Sequence, residues 1–153
     1  MLTCNTMATV FSKILCPIDF DRDSMQALEL ASRLATQNGA AVYLLTVIAA
    51  PSEAAELPPV PLDLNPQFEA VCRGRLEAMV KDKLAGIPHE IFVESGNAAP
   101  QILKLAAERN VDLIVMGTHG RKGVKHFLLG SVAERVIRES PVPVMTIRPN
   151  PSR

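Results

Sequence analysis

An α/β fold, built as one open and mostly parallel sheet with helices on both faces, is predicted by three observations in the 153-residue sequence. Apolar runs of strand length alternate with stretches of helical periodicity along the chain, which implies parallel strands joined by helical crossovers. The strand-like runs are almost continuously apolar, as in sheets covered on both faces. Hydrophobic residues make up 48% and charged residues 21% of the chain, an ordinary balance for one globular domain large enough to bury a core.

The elements follow in order. Residues 1–10 read as a loose tail, 11–149 as the domain and 150–153 as a second tail. "SKILCPID" (12–19) is a short apolar run ending in Pro and an acid, and reads as a buried strand. Helical spacing of Met25, Leu28, Ala31, Leu34 and Ala35 predicts a helix over 23–39, with Asp23 as its cap and Asn38-Gly39 as its left-handed end. "AAVYLLTVIA" (40–49) is the second strand. The segment 51–66, with Pro51, Pro58, Pro59, Pro61 and Pro66, reads as a surface loop. Helical periodicity returns over 67–86 through Phe68, Val71, Leu76, Met79, Val80 and Leu84, with Gly74 weakening its middle. "PHEIFVES" (88–95) is a third strand. Residues 97–110 form a helix with Ile102, Leu105 and Ala106 inward, and "VDLIVMG" (111–117) is a fourth strand. A helix from Ser131 to about Glu139 and the strand "VPVMTIRP" (142–149) complete the chain.

Composition narrows the function. Sixteen basic residues balance sixteen acidic ones, so charge offers no attraction to nucleic acid or to a membrane surface. Trp is absent and aromatics are 4% of the chain, too few for base-stacking platforms. No run approaches the ~20 apolar residues of a membrane span. Cys4, Cys16 and Cys72 lack metal-like spacing, and Cys16 sits in an apolar strand as a small core residue. Reduced thiols and the lack of a basic start followed by an apolar stretch point to a cytoplasmic protein.

In open α/β sheets, ligands bind beyond the carboxyl ends of the strands. Asp19, Val47 and the stretch from Gly117 onward occupy such places. "GTHGRKGVKHFLLGS" (117–131) holds four of the eight glycines, with Arg121, Lys122, Lys125 and His126 between them. Glycines let successive N–H groups turn toward an anion, and the helix opening at Gly130-Ser131 adds its dipole and free N–H groups. A structural alternative stands beside this one: "SVAE" (131–134) is also a capping box, in which Ser131 and Glu134 satisfy the helix end without a ligand. The sequence contains no G-x-x-x-x-G-K-[ST] and no G-x-G-x-x-G after the first strand. Asp19, Asp21 and Asp23 do not form a calcium loop, because Ser24 stands at its sixth position and Leu30 at its twelfth.

The pattern G-x2-G-x9-G-[ST] in "GTHGRKGVKHFLLGS" resembles the nucleotide-binding loop of the universal stress protein family. The likeness extends from about Lys13 to Arg148, through "ILCPIDFDRDSMQALELASRLA" and "AERVIRESPVPVMTIRP". The resemblance implies a Rossmann-like sheet of order 3-2-1-4-5 and, in members that keep the loop, binding of ATP. It implies that Pro17, Ile18 and Asp19 face the adenosine, with Asp19 the main polar contact, and that Val47 and Met116 border the adenine. Gly117, His119, Gly120, Gly130, Ser131, Val132 and Ala133 would line the ribose and phosphates, chiefly through backbone N–H groups. Asp21 departs from the small hydroxyl residue usual at its position, which would weaken anion binding nearby.

The implied ligand is ATP, AMP or ADP, with magnesium entering through the phosphates and no protein metal ligand. The implied role is regulatory, through nucleotide-dependent dimer or partner contacts. An edge strand at 142–148 suits a homodimer. The alternative is a weak ATPase or phosphate-transferring enzyme, which would require in-line positioning and a group that orients the nucleophile.

Overall fold

A computed structural model describes residues 10–49, 66–118 and 129–148. The expectations for the tails, for the Pro-rich loop up to its last residue and for residues 119–128 fall outside these. Five parallel strands form one sheet: β1 (Lys13–Pro17), β2 (Ala41–Ala49), β3 (His89–Gly96), β4 (Leu113–Gly117) and β5 (Val144–Ile147). Four helices connect them: α1 (Arg22–Asn38), α2 (Pro66–Lys83), α3 (Ala98–Glu108) and α4 (Ser131–Glu139). The spatial order is β3-β2-β1-β4-β5, the order that the resemblance implies.

Side chains alternate across the sheet with the strand period of two. Ile14, Cys16, Val42, Leu44, Leu113 and Val115 pack with Ala27, Leu28 and Ala31 of α1 and with Leu76 and Val80 of α2. Leu15, Tyr43, Leu45, Ile114 and Met116 pack on the other face with Ile102, Leu105 and Ala106 of α3 and with Ala133 and Val136 of α4. The double covering explains why the strands read as apolar runs. Cys16 is buried in the first of these layers, and burial pushes its thiol pKa far up, so it is a packing residue and not a nucleophile.

The helix ends follow local chemistry. Gly39 closes α1 at φ 67°, its N–H donating to the Ala35 carbonyl, as Asn38-Gly39 predicts. Pro66 opens α2, where its fixed φ and missing N–H cost nothing. The inward row of α2 differs from expectation. Cys72, Leu76, Val80 and Leu84 are buried, whereas Phe68 and Val71 are 47% and 58% exposed. Val71 lies about 100° around the helix from Cys72, and a four-residue row precesses by about 40° per step, carrying Phe68 off the buried face.

The amino end of the sheet is tied by one carboxylate. Asp112, just before β4, accepts from the Ser12 N–H (2.9 Å), the Ser12 hydroxyl (2.8 Å) and the Lys13 N–H (3.1 Å) at the start of β1. The Asp112 N–H returns a bond to the Lys13 carbonyl at 3.0 Å. Burial raises the Asp112 pKa, but the Ser12 and Lys13 bonds outweigh it and hold the carboxyl below its ordinary value. A carboxyl depressed in the folded state stabilises the fold above its unfolded pKa of about 3.9, and that stabilisation is lost as pH falls through the folded value.

Two stability measurements follow. Asp112→Ala should lower the unfolding free energy at pH 7 by about 1–2 kcal/mol in urea titration, the difference from wild type shrinking below pH ~4 as the wild-type carboxylate protonates. Gly74 lies within α2 with nothing inside 4 Å of a built Cβ, so Gly74→Ala should raise the denaturation midpoint, by an amount equivalent to about 0.5–1 kcal/mol.

Candidate nucleotide-binding site

β1 leads through α1 to β2 on one side, and β4 leads through α4 to β5 on the other. The chain therefore leaves two adjacent strands in opposite directions, the topological switch at which open α/β sheets place a ligand crevice beyond the carboxyl ends. The β1–β2 ladder runs to Pro17↔Leu45 and continues with the Ile18 N–H donating to the Leu45 carbonyl at 2.8 Å. The register between β1 and β4 is Ile14↔Leu113 and Leu15↔Ile114. Pro17 has no N–H with which to continue a ladder.

The turn after β1 is held by its own side chains. Asp19 Oδ1 accepts from the Asp21 N–H at 3.0 Å, an Asx turn around Phe20. Phe20 takes φ 67°, left-handed for a residue with a Cβ. The Ser24 hydroxyl donates to the Asp21 carbonyl at 3.0 Å and accepts the Asp19 N–H at 3.4 Å. The N-cap of α1 is Asp21, not Asp23, and it makes no side-chain capping bond. Asp23 is instead buried in the first turn.

Asp23 is buried where β4 ends. A Cβ built on Gly117 would lie 2.7 Å from Asp23 Cβ and 3.0 Å from both the Asp23 carbonyl carbon and the Ser24 nitrogen. Gly117 is thus required by the closeness of α1 to β4. Its neighbour Thr118 is buried, and the Thr118 N–H donates to the Ile147 carbonyl of β5 at 3.1 Å. The Thr118 carbonyl accepts from the Gly130 N–H at 2.7 Å. Both feet of the glycine loop are therefore pinned together.

The capping-box alternative is not realised. Gly130 is the N-cap of α4, with φ −62° and ψ 150°, and its carbonyl accepts the Glu134 N–H at 2.9 Å. Ser131 is the first helical residue and is exposed. Glu134, one position too far along for a box, pairs with Arg138 at 3.5 Å. Glycine offers no side chain to the first turn, so no side-chain cap bond is made at the N-cap of α4. The N–H groups of Ser131, Val132 and Ala133 open the helix and lack intrahelical acceptors.

The sequence-predicted residues divide by face. Val47, Met116, Val132 and Ala133 belong to the apolar layer under α3 and α4, and alternation along β1 puts Pro17 on that side. Ile18 differs from expectation: its side chain is buried in the layer under α1 and α2. Its carbonyl accepts the buried Thr46 hydroxyl at 2.9 Å. Gly117 points the same way, toward α1. Asp19 follows the carboxyl end of β1 and Gly130 and Ser131 open α4 beyond β4, the two sides of the switch point, while His119 and Gly120 lie outside the described residues. Sequence reasoning missed Phe20, because nothing in its side chain signals a positive φ.

A shallow depression of about 440 Å³, lined by Val80, Leu84, His89 and Ile91 among others, lies at the opposite end, where β3 begins. Its position at the amino ends of the strands separates it from the switch point. Among the described residues no group of three or more His, Cys, Asp or Glu could hold a metal ion. No helix among them is long and apolar enough to cross a membrane.

The sequence model of the Universal stress protein family matches residues 11–148, the span from the end of the tail through β5. This chain belongs to that family. It is 30% identical to Universal stress protein MJ0577 of Methanocaldococcus jannaschii, over 93% of this chain and 98% of that protein. The solved structure of MJ0577 matches with a TM-score of 0.68 at 30% identity, over 94% of this chain and 99% of that one. A universal stress protein crystallised in complex with cAMP shares the fold at a TM-score of 0.69 and 20% identity, covering 91% of this chain and 98% of that one. The universal stress protein of Archaeoglobus fulgidus in complex with dAMP does so at 0.65 and 20%, covering 91% and 99%.

Gly117→Ala should cost about 1–3 kcal/mol of stability, measured by urea unfolding, because the new methyl meets the Asp23 backbone and Cβ rather than a flexible tip. Unchanged stability would mean that α1 does not approach β4 this closely.

Proposed function

We propose that this universal stress protein binds an adenine nucleotide at the carboxyl ends of β1 and β4 and acts as a regulatory module. The observation that carries the reading is the start of α4. Its N-cap is a glycine, which has no side chain to offer the helix end, and its loop is fastened to the end of β4 by the Gly130–Thr118 bond. Such a terminus presents N–H groups and the positive end of a helix dipole to an anion. The cAMP and dAMP complexes of fold neighbours support an adenine nucleotide as the occupant.

In this reading, Val47 and Met116 border the adenine and Asp19 meets the adenosine. The N–H groups of Ser131, Val132 and Ala133 receive phosphate, together with His119 and Gly120 of the loop, while Gly130, whose own N–H is held by Thr118, leaves the approach free of a side chain. ATP is the proposed ligand, magnesium being carried in on its phosphates. Nucleotide occupancy would then bias contacts of a cytoplasmic homodimer formed through residues 142–148, whose core, β5, is an edge strand of the sheet. Phosphate release followed during the same titration separates a binding module from a weak ATPase.

The experiment is acid extraction and chromatography of freshly purified protein, followed by calorimetric titration with ATP and magnesium. Wild type should carry nucleotide or bind it with micromolar affinity. Gly117→Val is a poor control because of its clash with α1, so the informative variant is Ser131→Pro. Proline suits the first helical position, and Gly130 already has the extended ψ that a residue before proline requires. The substitution removes one N–H and one hydroxyl while leaving the helix intact. It should weaken ATP binding roughly 10- to 100-fold, the loss of a hydrogen bond to a charged group. Wild-type affinity in Ser131→Pro would refute the phosphate site.

A further inference from the structure

The turn after β1 keeps a conformation that its sequence does not favour. Phe20 at φ 67° carries a side chain where glycine or asparagine would be usual, a conformation that the Cβ makes unfavourable. Two contacts oppose that cost. The Phe20 ring packs against the apolar layer under α1 and α2. The Arg75 guanidinium, from the middle of α2, lies 3.9 Å from the ring centroid, well inside the range for a cation over an aromatic face. The ring is therefore held between the core and a cation supplied by a different helix.

That grip bears on the candidate site through two short links. The left-handed residue is the middle of the Asx turn, so its conformation sets the 3.0 Å bond from the Asp21 N–H to Asp19 Oδ1. That bond in turn orients the Asp19 carboxylate at the crevice rim. We propose that Arg75 is a positioning residue for the nucleotide: by stacking on Phe20 it holds the β1–α1 turn, and with it the Asp19 carboxylate, in the geometry that meets the adenosine. The inference rests on the nucleotide-binding reading and extends it to a helix that contributes none of the proposed ligand contacts.

A double-mutant cycle with Asp19→Asn tests the mechanism, with calorimetric ATP affinity and the melting temperature of the nucleotide-free protein as its two readouts. Asparagine keeps an oxygen acceptor for the Asp21 N–H, so the turn survives and affinity stays measurable. Arg75→Ala should weaken ATP binding roughly two- to five-fold, the size of a partly exposed cation–π contact. Phe20→Leu should do the same, and Arg75→Lys should restore part of the loss. In the Asp19→Asn background Arg75→Ala should add no further loss, because the group it positions is already disabled. An equal loss in both backgrounds, or no loss in either, overturns the positioning role whatever happens to the melting temperature. If Asp19→Asn binds like wild type, the positioning role falls while nucleotide binding stands. A wild-type protein that ignores ATP overturns the nucleotide reading and this inference with it.

Discussion

The crevice depends on one close constraint, the approach of α1 to the end of β4. Gly117 has no room for a methyl group because the backbone of Asp23 and Ser24 lies against it. That approach fixes where the first turn of α1 sits relative to the central strands. Ser24, in the same turn, then supplies the hydroxyl that ties Asp19 and Asp21 together. On the other side of the same strand end, Thr118 joins β5 and the foot of α4. The two loops of the crevice are thus referred to one point, the carboxyl end of β4.

From that point the proposed nucleotide site divides into two physical halves. The phosphate half is made of backbone: an N-cap without a side chain, three opening N–H groups and a helix dipole, all insensitive to side-chain identity. The adenosine half is made of side chains: an apolar border from Val47 and Met116 and a carboxylate whose direction is set by an Asx turn. A backbone nest recognises charge and tolerates variation in what is attached to it. In the proposed reading, discrimination among nucleotides falls to the side-chain half, where Asp19 would act in the geometry that Phe20 and Arg75 hold.

Much of this was legible in the sequence. Apolar runs, and for β3 an alternating pattern, located the five strands to within a few residues, and the Asn38-Gly39 ending of α1 was readable because left-handed caps have a residue signature. The α2 stripe was misread at Phe68 and Val71, since a helix carrying apolar residues around its circumference gives periodicity too little contrast to fix its phase. The Ser131–Glu134 spacing matched a capping box, yet the helix takes Gly130 as its N-cap, and a shift of one residue removes the motif. Gly117 was legible as a special position but for another reason: its contact is with a segment nearly a hundred residues away in sequence, which no local pattern encodes. The stacking of Arg75 on Phe20 belongs to the same class.

The tie between Asp112 and the start of β1 spans 100 residues of sequence, and β4 is the inner neighbour of β1. A chain emerging from a ribosome can pair β1 with β2 and then β2 with β3, because each pairing closes over one intervening helix. One edge of β1 stays open throughout that period, apolar on both faces, until β4 has been made. The half-sheet is then a template for any strand that reaches it first. The last third of the chain therefore completes the centre of the fold rather than its margin, and a polypeptide truncated before residue 112 would expose β1, whose Ile14, Leu15 and Cys16 are fully buried in the finished sheet, as an unpaired edge.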